Sequence, residues 1–195
     1  MNHLPESFYT RSNVVKIAKE LLGKKLITNI KGMKTSGIIV ETEAYSFSER
    51  GCHAYQNKMT QRNKTMFESG GIAYVYLCYG IHNLFNVVTN KSGTADAVLI
   101  RALEPAEGAE WMQERINTRT FKRITSGPGK LTKALGIDRT HDGIMLNSNH
   151  LWIEEGVRVS EKNIYASARI GIDYAGEDAL LPWRFSIKDN EWVSK

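Results

Sequence analysis

The sequence holds only two cysteines, Cys52 and Cys78, and neither belongs to a C-x-x-C pair. Its five histidines are scattered, so no zinc-ligand spacing exists. Cys52 and His53 are adjacent, and neighbouring side chains on an extended chain point apart, so we expect neither a metal nor a cofactor. No apolar run reaches transmembrane length, and Met1-Asn2-His3-Leu4-Pro5-Glu6 offers neither a charged n-region nor an apolar h-region. We therefore expect a cytoplasmic protein with no membrane association and no disulfide. No internal repeat, low-complexity tract or linker interrupts the chain, and residues 1–195 read as one domain.

Acidic residues are missing from one long stretch. Between Arg115 and Lys133 stand six basic residues, Arg115, Arg119, Lys122, Arg123, Lys130 and Lys133, without one carboxylate. The whole chain carries a formal net charge of +5. A one-sided run of this kind suits a polyanion, although a solvated helical face has the same composition. Inside it, Ser126-Gly127-Pro128-Gly129-Lys130 opens a short helix whose first N–H groups are available to a phosphate. It lacks the G-x-x-x-x-G-K-[ST] spacing of a nucleotide-binding P-loop.

Periodicity predicts a helix over 12–22, a hairpin from Leu26–Ile30 to Thr35–Glu43, and a strand pair Ile72–Tyr79 and Leu84–Thr89 around Gly80. A third strand spans Ala97–Ala102. Pro105 then reads as the start of a helix through Asn117, with Trp111 and Met112 on one side. Shorter strands follow at Leu151–Glu154, Ile164–Ile170 and Trp183–Lys188. Residues 46–71 have no period, which in a compact domain marks a functional or a disordered loop.

The stretch Ile38-Ile39-Val40-Glu41-Thr42-Glu43-Ala44-Tyr45 stands out, because an interior β-branched strand runs directly into two carboxylates. Side chains at i and i+2 share a strand face, so Glu41, Glu43 and Tyr45 lie on one side, with Cα spacing of about 6.5–7 Å. That face holds a candidate base beside an aromatic wall. Carboxylates at strand ends are more often simply solvated.

In combination, several motifs resemble one family, the alkyladenine (3-methyladenine or methylpurine) DNA glycosylases. They are Val40 to Tyr45, Arg62-Asn63, Met66-Phe67, Tyr74-Val75-Tyr76 with Tyr79-Gly80, Asn86 and Leu99 to Pro105. Ser126-Gly127-Pro128, Ala168-Arg169-Ile170-Gly171 and Ala175-Gly176-Glu177 to Pro182 continue the series, in the family's order and over nearly the full length. The resemblance implies a single α+β domain, a curved antiparallel sheet with helices around it, monomeric and acting on double-stranded DNA that contains damaged purines.

Carried over by position, it implies Glu43 as general base, with Arg101 and the backbone carbonyl of Ile170 holding the attacking water. Tyr45, His53 and Tyr76 would wall the base pocket, and Asn86 would screen purines by their 2-substituent. Tyr79 would fill the gap left in the base stack, and Arg62, Arg123 and Lys130 would meet DNA. Glu41 would be structural. The long N-terminal extension of human-type members is missing, which implies a bacterial, nucleoid-associated protein. The segment between Tyr45 and His53 is one residue shorter than usual, Gln61 stands where proline is frequent, and His82 takes a position that can be aromatic. Two other classes use parts of the same pattern: a non-catalytic binder of structured nucleic acid with Glu43 idle, and a carboxylate-dependent hydrolase of free nucleosides or sugars.

Overall fold

A computed structural model describes residues 2–195. Among the described residues, eight strands form one antiparallel sheet: β1 (Lys25–Ile30), β2 (Met33–Tyr45), β3 (Ala73–Cys78), β4 (His82–Thr89), β5 (Asp96–Glu107), β6 (Leu151–Glu154), β7 (Ile164–Ser167) and β8 (Arg184–Ile187). The main order is β3-β4-β5-β2-β1-β6, and β8 joins β2 to β7. The long strand β2 is the hub. One edge pairs along β5, while the other is shared, first by β1 and then, at Glu41–Glu43, by β8. With helices packed around this sheet, the fold is mixed α+β. Among the described residues no helix is long and apolar enough to cross a membrane.

The predicted first helix is α2 (Val14–Leu21), which follows the short α1 (Glu6–Tyr9). Asn13 caps it, its side chain accepting from Lys16 N–H at 2.9 Å. Its stripe of Val14, Ile17, Ala18 and Leu21 is buried against the sheet, each large apolar side chain contributing roughly 1.5–3 kcal/mol. On that side Thr42 Oγ1 donates to Ala18 O at 2.9 Å, which leaves Glu41 and Glu43 for the opposite face.

The helix predicted from Pro105 is not there. Strand β5 continues through Pro105 to Glu107, and helix α3 (Ala109–Ile116) begins only after Gly108. Proline lacks an N–H, but Pro105 pairs with Gly37 beside a register shift where the ladder is already interrupted. Gly108 takes φ 72° with Lys34 O so close that a Cβ there would lie 2.3 Å from it. The turn into the helix therefore sits at the glycine rather than the proline. Trp111 and Met112 also part company, Met112 being buried and Trp111 exposed, as consecutive helical positions must.

Helix α4 (Pro128–Leu135) forms as expected, with Pro128 in its first turn and Gly136 closing it. The expected strand over 164–170 ends at Ser167, which leaves Arg169 and Ile170 outside the ladder. Residues 46–71 are packed rather than structureless. Glu49, Cys52, Ala54, Asn63 and Met66 are buried, and two 3₁₀ turns, Tyr55–Asn57 and Lys64–Phe67, punctuate the segment. Polar side chains tie it down, so it needs no ladder of its own. Asn63 Nδ2 donates to His53 O at 2.9 Å and Lys58 O at 3.0 Å, and Asp96 accepts the Phe47 N–H at 3.0 Å.

Candidate active site

One cross-strand row organises the site: Tyr74 on β3 lies opposite Asn86 on β4, Asn86 opposite Leu99 on β5, Leu99 opposite Glu43 on β2, and Glu43 opposite Arg184 on β8. Paired residues across an antiparallel sheet share a face. Tyr74, Asn86 and Leu99 accordingly line a cavity of about 680 Å³, within the range of small-molecule sites. Tyr45, His53, Arg62, Tyr76, Tyr79, Arg101, Lys130, Ile170 and Tyr174 line it too. Of the residues expected at the site, all but Glu43 and Arg123 therefore border one space.

Glu43 is fully buried and sits behind that lining. Its Oε2 accepts from Tyr45 OH at 2.7 Å, its Oε1 accepts from the backbone N–H of Ile170 at 2.9 Å, and Arg101 Nη1 stands 3.2 Å from Oε1. An ionised carboxylate offers about four acceptor positions, and three are taken. The remaining one is on Oε2, and all three partners are cavity-lining residues. Burial, followed by the neighbouring Glu43 charge, pushes the Tyr45 phenol far above its usual range, so it remains the donor in this pair.

Arg101 reaches both carboxylates because the β2–β5 register slips. Glu41 opposes Ala102 and Thr42 opposes Ile100, so Arg101 is an extra residue in a bulge. Its Nε donates to Glu41 Oε1 at 2.9 Å while Nη1 faces Glu43. Glu41, also fully buried, further accepts from Arg184 Nε at 2.6 Å and from Ser194 N at 2.7 Å and Oγ at 2.9 Å. Burial works to raise its pKa, but Arg101, the Ser194 N–H and Arg184 outweigh it and hold Glu41 below the usual carboxylate range. Glu41 is thus an anion held by four protein donors, three at Oε1 and one at Oε2, and it is not among the residues lining the cavity.

The aromatic walls are fixed by their neighbours. His53 meets Tyr76 edge-on at 4.5 Å between ring centroids, and its Nδ1 lies 3.0 Å from Tyr74 OH. Burial, helped by the Arg62 charge, lowers its pKa to about 4, so at neutral pH the ring is uncharged. Arg62 stands 5.5 Å from the centre of the Tyr76 ring. Asn86 is nearly fully buried and gives one amide hydrogen to Tyr74 O at 3.2 Å, which leaves its other donor and its carbonyl uncommitted.

Tyr79 is 87% exposed at the tip of the β3–β4 hairpin, where it takes φ 50° followed by Gly80 at φ 75°. Two successive positive φ values mark the primed hairpin turns, and they lift Tyr79 off either strand face. A tyrosine held in that conformation in open solvent stores backbone strain at a site where the fold has no packing use for it.

Sequence reasoning gave no role to Arg169, Glu49 or Tyr174. Arg169 Nη1 donates to Ala44 O at 2.9 Å and Glu49 Oε1 at 2.6 Å, Nη2 donates to Glu49 Oε2 at 2.7 Å, and its guanidinium lies 4.7 Å from the Tyr45 ring centre. This buried pair locks the back of the Tyr45 wall. Tyr174, 69% exposed, adds an aromatic to the lining and donates its hydroxyl to Gly51 O at 3.3 Å. Arg169 lies inside a motif that the resemblance had marked, but its partner is 120 residues away and leaves no local trace.

The basic stretch divides. Lys130 is exposed and lines the cavity at the start of α4, near Ser126, whose Oγ is buried without a partner. Arg123 is occupied elsewhere, its Nη2 donating to Val193 O at 2.7 Å. Arg115 is tied to Thr35 Oγ1 at 3.0 Å and Ala134 O at 3.1 Å. Two of the six basic residues that read as a polyanion footprint in sequence are thus used to join elements.

A buried carboxylate behind the wall of an aromatic cavity, an arginine in that wall, and an exposed tyrosine and a lysine at its border make up the candidate site. Residues 7–191 match the methylpurine-DNA glycosylase family, and the chain belongs to it. Curated relatives described as "Putative 3-methyladenine DNA glycosylase" include proteins from Chlamydia felis (46% identical, covering 93% of this chain and 94% of theirs) and Methanocella arvoryzae (48%, 98% and 96%). Another, from Bacillus cereus, is 44% identical, covering 98% of both chains. The protein is accordingly a DNA N-glycosylase, a hydrolase acting on N-glycosyl bonds, and the non-catalytic binder and the free-nucleoside hydrolase fall away.

Proposed function

We propose that this protein is a monofunctional, monomeric glycosylase of base excision repair. It flips damaged purines, the class of 3-methyladenine, 7-methylguanine, hypoxanthine and ethenoadenine, out of duplex DNA into the cavity. It then hydrolyses the N-glycosidic bond and leaves an abasic site. The observation that carries this reading is the buried Glu43 carboxylate with one acceptor position unfilled and all its partners in the cavity wall. A water bound there, held also by Arg101 and the Ile170 carbonyl, is deprotonated by Glu43 as it attacks the sugar, while the carboxylate offsets the developing oxocarbenium charge.

None of the described cavity-lining residues is Asp or Glu, and the His53 ring beside Tyr76 is uncharged, so neither a second carboxyl nor His53 stands ready to protonate the leaving base. An alkylated purine is already cationic and departs as the neutral base without a proton donor, whereas hypoxanthine or ethenoadenine leaves as an anion that takes its proton from solvent water. Stacking of the cationic purine on Tyr45 and Tyr76 gains roughly 0.5–2 kcal/mol of cation–π attraction over a neutral base. An uncharged His53 adds no repulsion against that cation. The free Asn86 amide disfavours the 2-amino group that guanine and 7-methylguanine share, a penalty that only the cationic 7-methylguanine offsets, and Tyr79 replaces the flipped base in the stack, offsetting an unstacking cost of a few kcal/mol.

The test is a product analysis on a duplex with one hypoxanthine or one alkylated purine. We expect free base and a strand that breaks only on alkaline treatment. Because the Lys130 amine borders the cavity, borohydride should be added to parallel reactions. A Lys130-dependent protein–DNA adduct would overturn the monofunctional reading. Phosphate contact supplies a second check: Lys130→Ala should shallow the slope of log K against log[salt] by about one unit, since each phosphate neutralised contributes roughly 0.9. Arg123→Ala should leave the slope alone, because its guanidinium is engaged with Val193 O.

A further inference from the structure

We infer that Ser194 is a positioning residue for the reaction: its hydroxyl is the second anchor that fixes the plane of the Arg101 guanidinium between Glu41 and Glu43. The inference rests on the roles proposed for Glu43 and Arg101. The guanidinium is planar, so two fixed points on its rim determine where the third nitrogen lies. One point is Nε, which donates to Glu41 Oε1 at 2.9 Å, and the other is Nη2, which donates to Ser194 Oγ at 3.4 Å. The remaining nitrogen, Nη1, is the one 3.2 Å from Glu43. Without the Ser194 contact only the two carboxylates hold the fork, at Nε and at Nη1, and the shorter Nε–Glu41 contact becomes the pivot about which Nη1 tilts away from Glu43 and the water beside it.

Ser194 also sets the charge balance that this geometry needs. Its Oγ donates to Glu41 Oε1 at 2.9 Å while accepting from Arg101, and its N–H donates to Glu41 Oε2 at 2.7 Å. Glu41 thereby receives four donors from two arginines and one serine, three of them at Oε1. Without the hydroxyl, Oε1 keeps only the two arginines and draws the Arg101 N–H groups more strongly away from Glu43.

The segment is held in place independently of that hydroxyl. Arg184 Nη2 donates to Ser194 O at 3.2 Å, Arg123 Nη2 to Val193 O at 2.7 Å, and the buried Trp192 packs on Phe121 at 5.4 Å between centroids. Removing Oγ therefore isolates the anchor without releasing the chain.

The experiment compares the wild type, Ser194→Ala, Ser194→Thr and Glu43→Gln under single-turnover conditions on a hypoxanthine duplex. Binding to an abasic-analogue duplex and the melting temperature are measured beside it. We expect Ser194→Ala to excise roughly ten-fold more slowly, in line with loss of a hydrogen bond to a charged group. Its binding should stay within about two-fold, and Ser194→Thr should recover the rate because it restores the hydroxyl. Wild-type excision by Ser194→Ala, with Glu43→Gln disabled, overturns the inference alone. Equal slowing in the Ala and Thr variants with matching losses of melting temperature overturns it too, as a merely structural effect. Undiminished excision by Glu43→Gln, or none by the wild type, removes the proposed mechanism and the inference with it.

Discussion

Glu43→Gln should lower the single-turnover excision rate by about 10²–10⁴-fold while leaving the protein folded and its affinity for an abasic-analogue duplex within about two-fold. The geometry makes this a clean substitution. The amide oxygen can keep the Ile170 N–H and the Arg101 contact at Oε1, and the amide nitrogen then faces the Tyr45 hydroxyl, which can accept instead of donate. What is lost is basicity and negative charge. In the proposed mechanism the first removes the proton acceptor for the water, and the second removes the counter-charge for the sugar cation. The proposed flipping, stacking on Tyr45 and Tyr76, and phosphate contacts use neither property, so binding should survive.

Glu41→Gln should instead act mainly on stability, lowering it by about 3–5 kcal/mol, because it strips the shared anion from two largely buried arginines. For a chain of this size that is a fall of roughly 6–20 °C in melting temperature. Gln cannot accept at all four positions, and its amide nitrogen would meet the Ser194 N–H, donor against donor. The pH dependence has a definite sign. The folded Glu41 pKa is depressed, so its stabilisation is fully present above the unfolded carboxylate pKa and is lost as pH falls through the lower folded value. Acid unfolding of the wild type should therefore be steeper than that of Glu41→Gln, and thermal melts from about pH 6 down to pH 3 would show it. Since Glu41 also orients Arg101, its substitution should slow excision as well. It is no control for an idle carboxylate, although it touches no substrate.

Much of this site is legible in local sequence. The β-branched run before Glu41, the i, i+2 spacing to Glu43 and Tyr45, and Gly80 behind Tyr79 each carry a physical signal within a few residues. The strand register then brings Asn86 and Leu99 alongside Glu43. What sequence does not reveal is the machinery that holds these groups. The bulge at Arg101 arises from a slip between two strands that no single-strand pattern encodes. The Glu49–Arg169 and Glu41–Ser194 contacts join residues more than 100 positions apart. Their composition looks like ordinary surface charge until the fold buries it.

Pro105 misleads for a related reason. Its helix-starting preference is local and worth little, whereas nine β2–β5 partner pairs and the register shift between Ser36 and Gly37 keep it in the strand, and Gly108 makes the turn. Residues 46–71 mislead in the opposite direction. Lack of periodicity there reflects packing by individual polar anchors such as Asn63 and Glu49 rather than lack of order.

The central claim is that this cavity selects damaged purines and that the wild-type protein hydrolyses their glycosidic bonds. The most direct measurement follows free-base release by the wild-type protein, in single turnover, from three duplexes identical except for one purine: 7-methylguanine, hypoxanthine or guanine. The account predicts release of both damaged bases, with guanine retained over the same time course. Release of guanine at a comparable rate, or of none of the three by folded protein that binds the duplexes, would contradict it.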